Sequence, residues 1–158
     1  MLRSMSRVAY LAVFVSTCLA AFPALAQSDP RLGTWVMNIE RSHFIDAPPK
    51  TYVRTYTLTA QGSVQAVYDI EYLDGTRASM RYNATSDGKE HPFIGSRFGD
   101  TISIITSGDP RRFTKIVKKA GVVTLTEDGV ISADGRTLSV TMKRPGESQY
   151  VIEVFDKR

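Results

Sequence analysis

SVQAVYDIEYLDGTRASMRYNA, residues 63–84, decides the fold. In its first arm Val64, Ala66, Tyr68, Ile70 and Tyr72 alternate with Ser63, Gln65, Val67, Asp69 and Glu71. Successive side chains leave a strand on opposite sides, so period two gives one apolar face and one mostly wet face. Asp74-Gly75 follows, a turn pair whose glycine tolerates the positive φ of tight hairpins. The second arm sets Ala78, Met80, Tyr82 and Ala84 against Arg77, Ser79, Arg81 and Asn83. A helix needs apolar residues at three-to-four spacing, and neither arm has it. The stretch reads as a β-hairpin. Its apolar face carries Tyr68, Tyr72 and Tyr82, large apolar bodies whose hydroxyls need partners when buried. Such a face is either part of a filled core, the usual state of small barrels, or the wall of a pocket for something amphipathic.

More of the same surrounds it. Gly33-Thr34-Trp35 opens a first short strand, and the lone Trp35 is a candidate to plug one barrel end. Residues 39–50 lack alternation, and Pro48-Pro49 stops a helix there. They read as a crossing loop or one helical turn, a lid that carries His43 and Phe44. A strand rich in Thr and Tyr follows at 51–60, with Tyr52, Arg54, Tyr56 and Leu58 on one face. Residues 90–99 look irregular. Strands resume at 100–106, at 112–118 with Phe113, Ile116 and Val117, and at 122–133, where Gly129 marks a bulge. Asp134-Gly135 and Pro145-Gly146 turn the chain into the last two. This makes eight to ten strands joined mostly by turns of two to four residues. Short links pair sequence neighbours antiparallel, and closure removes the exposed edges. The fold class expected is all-β, an up-and-down antiparallel meander closing into a barrel, with a short turn or helix after the first strand.

The first 26 of the 158 residues stand apart. Arg3 and Arg7 make a positive start, residues 8–21 are an apolar run broken by Ser16 and Thr17, and Ala24-Leu25-Ala26 offers a cleavage site. The run falls short of the ~20 residues of a membrane span. The expected product is a single domain over 27–158, periplasmic or secreted after cleavage near Ala26, with no membrane span. Cys18, the one cysteine, lies inside this run. It is a poor lipoprotein acceptor, because Thr17 precedes it and the apolar run continues past it. The mature chain therefore has no disulfide and no thiolate metal ligand. Of the 20 basic residues, removing Arg3 and Arg7 leaves 18 against 16 acidic, a net charge of +2. No basic block interleaves with aromatics, so nucleic-acid binding has no support.

Signal peptide, Gly33-x-Trp35, crossing segment and meander of hairpins together resemble the lipocalin and fatty-acid-binding-protein (calycin) pattern. GTWVMNIERSHF at 33–44, the prolines with YVRTYTL, and DGKEHPFIGSRFGDTISI at 87–104 are similar to small secreted bacterial lipocalin-like proteins. The resemblance implies a barrel with an apolar interior and a small-molecule ligand. It carries over no catalytic residue, and the chain lacks a disulfide pair.

Candidate ligand contacts are Trp35, Arg54, Tyr56, Tyr68, Tyr72, Met80 and Tyr82. Arg54 divides two readings. Facing in, it is a buried cation that must meet an anion, from a fatty acid or from a core Asp or Glu. Facing out, it is an ordinary surface charge, and this is the reading adopted. His43 and His91 sit in separate loops, and no spacing joins them with Asp46 or Glu90 into a metal site. No phosphate loop or nucleophile elbow occurs. No catalytic residue, metal or cofactor is assigned, and a monomer is expected. The function expected is binding of a small hydrophobic or amphipathic molecule inside the barrel. The alternatives are a filled barrel serving as a structural or protein-interaction domain, and an isomerase or hydrolase, which needs polar groups converging inside. An outer-membrane barrel ranks last, because Asp69, Glu71, Arg77, Arg81, Lys115 and Lys118 make a wet outer face.

Overall fold

A computed structural model describes residues 29–158; the expected signal peptide at 1–26 and Cys18 lie outside the described residues. Ten strands run in chain order: β1 (Gly33–Met37), β2 (Thr51–Leu58), β3 (Val64–Glu71), β4 (Arg77–Ala84) and β5 (His91–Ile94). They continue as β6 (Thr101–Thr106), β7 (Arg112–Lys119), β8 (Val122–Ile131), β9 (Thr137–Lys143) and β10 (Val151–Lys157). Each pairs antiparallel with its neighbour in sequence, and β1 pairs with β10 to close the barrel. The described residues contain no helix.

The hairpin at 63–84 is built as its alternation demands. β3 and β4 pair in unbroken register from Val64–Ala84 to Glu71–Arg77. Val64, Ala66, Tyr68, Met80, Tyr82 and Ala84 face in and are buried. Gly75 takes φ 83° in the turn, while Asp74 Oδ1 accepts hydrogen bonds from the Thr76 amide and hydroxyl. The side chains that face into the barrel are mainly apolar, the reverse of a membrane barrel's outward apolar band.

Trp35 is fully buried at one end, where its Nε1 donates to the Arg31 carbonyl at 2.7 Å. Arg31 seals that end from below, over the Phe113 ring and bonded to Asp29 and Ser86. Residues 39–50 form a turn and an isolated bridge from His43 to Ile152 rather than a helix. Ser42 pins this segment to β10, donating to the Asn38 carbonyl and accepting from the Val154 amide.

Four expectations are corrected. The stretch 90–99 is not wholly irregular, since β5 joins β4 to β6. With Phe93 its only buried side chain, it is too short to show an alternation. The bulge lies at Thr124, opposite the Val117–Lys118 step, and not at Gly129. Gly129 pairs regularly with Phe113, and its missing side chain makes room for that ring: a Cβ there would lie 2.1 Å from Phe113 Cζ. Lys115 points into the barrel and not out, because it shares the phase of Phe113 and Val117 while Ile116 takes the other side. Arg54, expected outward, is fully buried, because β2 pairs Arg54 with inward-facing Tyr68.

Gly129→Ala is expected to lose about 1–3 kcal/mol in urea unfolding through overpacking. Phe113→Leu in the same chain should recover part of it, a positive coupling in a double-mutant cycle. Unchanged stability of the single variant would show that the ring does not need the space.

Candidate functional site

Four strands each place one charged side chain among inward apolar neighbours. Arg54 lies between Tyr52 and Tyr56 on β2, and Lys115 between Phe113 and Val117 on β7. Glu127 follows Leu125 on β8, and Glu153 lies between Val151 and Phe155 on β10. Lys115 and Glu127 are direct cross-strand partners. The four meet inside the barrel. Arg54 Nη1 reaches Glu127 Oε2 at 3.2 Å and Arg54 Nη2 reaches Glu153 Oε2 at 2.6 Å. Lys115 Nζ lies 3.5 Å from the same Glu127 oxygen.

Aromatic residues complete the enclosure. The Arg54 guanidinium sits 4.6–5.0 Å from the ring centres of Tyr52, Tyr68 and Phe155. Such ring faces attract a desolvated cation. Lys115 Nζ donates to the hydroxyls of Tyr68 at 2.5 Å and Tyr56 at 3.2 Å. Tyr68 in turn donates to Tyr82. Arg54 Nε is the one buried side-chain polar atom without a partner among the described residues.

The two carboxylates differ in protonation. Burial raises both, but Glu127 meets Arg54 and Lys115 together and is held below the usual carboxylate range. Glu153 is pushed up to about 7 by burial. Arg54 only partly offsets this, because its charge is shared with Glu127, which also repels Glu153. Lys115 stays protonated against its burial because Tyr56, Tyr82 and Glu127 favour the ammonium.

Above this cluster, at the end away from Trp35, a cavity of about 150 Å³ opens between the strands. Tyr52, Tyr68, Met80, Phe93 and Leu125 make its walls, and Glu127 and Glu153 reach it from the cluster. Phe44, Ile45, Tyr72, Phe98, Met142 and Tyr150 stand around the mouth. Of the candidate contacts, Tyr68, Tyr72 and Met80 line this cavity. Arg54, Tyr56 and Tyr82 lie behind it, tied up in the cluster, and Trp35 belongs to the closed end. Lys115, Glu127 and Glu153 were not among the candidates. The signal was present in each strand as a lone charge in the apolar phase.

The described residues hold no cluster of three His, Cys, Asp or Glu able to bind a metal. His43 bridges Ile152 through its backbone, while His91 lies 3.5 Å from Asp87. No described helix is long and apolar enough to cross a membrane.

No family model matches the chain, and no curated protein matches it. Among solved structures, the crystal structure of the wild-type fluorescent protein UnaG is similar, with a TM-score of 0.57 at 15% identity. The match covers 80% of this chain and 96% of that one. The likeness carries the fold, a calycin-like barrel.

Arg54→Met is expected to cost roughly 3–5 kcal/mol, because it leaves the buried Glu153 with no cation and Glu127 with Lys115 alone. Glu153→Gln in the same chain, which leaves Glu127 to Lys115, should recover much of the loss; no recovery would place the cost in packing. Glu153 gives a pH signature. Between the ordinary 4.5 and about 7 the folded carboxyl keeps a proton that the unfolded one has shed. Stability therefore falls as pH rises through that window, by roughly 3 kcal/mol in all, and the loss is complete above it. The stability of Glu153→Gln relative to wild type should rise from pH 5 to pH 8 in urea titrations. A flat difference would contradict the buried, protonated carboxyl.

Proposed function

We propose that this chain is an exported monomeric barrel that binds a small hydrophobic or amphipathic molecule inside. The observation that supports it is the cavity: one barrel end is sealed by Trp35 and Arg31, while the other opens to solvent between aromatic walls. Convergent polar groups at the base of an apolar pocket are the usual make-up of a ligand site. The volume is below the ~300–1,000 Å³ of pockets for drug-sized ligands. It suits a one-ring body, or the end of a longer molecule that leaves through the mouth.

Cleavage near Ala26 is compatible with this barrel, because Arg31 and Leu32 already pack against its sealed end. N-terminal sequencing of the exported chain should begin at Gln27; a retained Met1 would overturn the export reading.

An isomerase or hydrolase is the second reading. It rests on Glu153, whose carboxyl near neutrality suits general acid–base work beside a cavity. Turnover of the bound molecule by wild type and not by Glu153→Gln would carry that reading.

Native mass spectrometry of gently purified chain tests the first. The expected result is an added mass that organic extraction removes and that Met142→Trp, narrowing the mouth, strongly depletes. A bare wild-type chain, or equal loading of the variant, would contradict it.

A further inference from the structure

We infer that the buried end of the ligand is an uncharged hydrogen-bond donor, an alcohol or an amide N–H, received by Glu127 and Glu153. The inference rests on the binding reading above and names the chemistry of its ligand. What an entering molecule meets at the base of the cavity is carboxylate oxygen, which accepts hydrogen bonds and cannot donate when ionised. At this base the cations lie behind: Arg54 and Lys115 are fully buried and do not line the cavity, while the arginines that do, Arg97 over the Tyr72 and Phe98 rings and Arg144 paired with Glu147, stand at the mouth. In each carboxylate Oε2 is the atom that meets the cations, and Oε1 takes no hydrogen bond from the described residues. A donor on the ligand would find these acceptors unfilled.

Charge balance then selects among donors. Once both carboxylates are ionised, two cations face two anions within one buried cluster. A fifth charge at the base has no partner of its own there, and an unpaired ion held among buried groups is costly. A ligand carboxylate would also sit against two carboxylates, with Arg54 already engaged by both. An ammonium would find acceptors but leave the cluster with one excess positive charge, next to Arg54 and Lys115. A neutral donor fills the acceptors without disturbing the balance.

Four one-ring probes decide this at pH 8, where Glu153 is ionised. Benzyl alcohol, benzylamine, benzoate and benzyl methyl ether share a body and differ in charge and in the donor. Binding is read from the ¹³C-methyl NMR shifts of Met80 and Met142, which line the cavity. Benzyl alcohol should bind at least tenfold more tightly than benzylamine or benzoate, and several-fold more tightly than the ether. In Glu153→Gln, which removes one anion, benzoate should gain about tenfold relative to the alcohol. An ion binding as tightly as the alcohol overturns the charge argument, and an ether binding as tightly overturns the donor. Either failure leaves the cavity reading standing. No shift with any of the four overturns that reading and this inference together.

Discussion

The Arg54 guanidinium, held between Glu127 and Glu153, is the interaction on which the rest of this structure depends. It joins β2 to β8 and β10 across the interior, and Lys115 brings in β7 through Glu127. A buried ion pair is weak evidence for stability, because removing both charges from water can cost more than their attraction returns. Here the cost is met in several ways at once. Rings of Tyr52, Tyr68 and Phe155 face the guanidinium, and tyrosine hydroxyls accept from Lys115. The remaining strain is carried by Glu153, whose proton stays on until near neutrality.

This cluster divides the barrel into a filled part and an open part. Beyond it, towards Trp35, the inward side chains are buried against one another, and Arg31 closes the end. On its other side the carboxylates give the cavity a polar base under aromatic walls. The alternatives of a filled core and a pocket wall are thus both realised by one hairpin. Tyr82 is committed to the filled part, Tyr72 to the mouth, and Tyr68 belongs to both, bonded to Lys115 and exposed to the cavity.

The hairpin at 63–84 was legible because both arms alternate over eight residues each and the turn names itself. β5, four residues with a single buried side chain, had no period to read. Gly129 was legible as special, but its reason was not, since the ring that needs the space comes from another strand. The site was harder. Reading charge as outward is sound for most strands, and it failed at Arg54 and Lys115. Both stand in phase with aromatic or aliphatic neighbours. Aligning β2 with β3 would have set Arg54 opposite Tyr68 and turned it inward. The carboxylates that make the burial of Arg54 tolerable are 73 and 99 residues away, a distance no local pattern spans.

The most direct test of this account is a ¹³C NMR titration of the Glu127 and Glu153 side-chain carboxyls in the folded chain. The account expects two separate midpoints: Glu153 near 7, and Glu127 below the ordinary range, ionised throughout. Both carboxyls titrating together at ordinary values would mean that they are solvated and apart. The cluster, and the cavity base built on it, would then not exist.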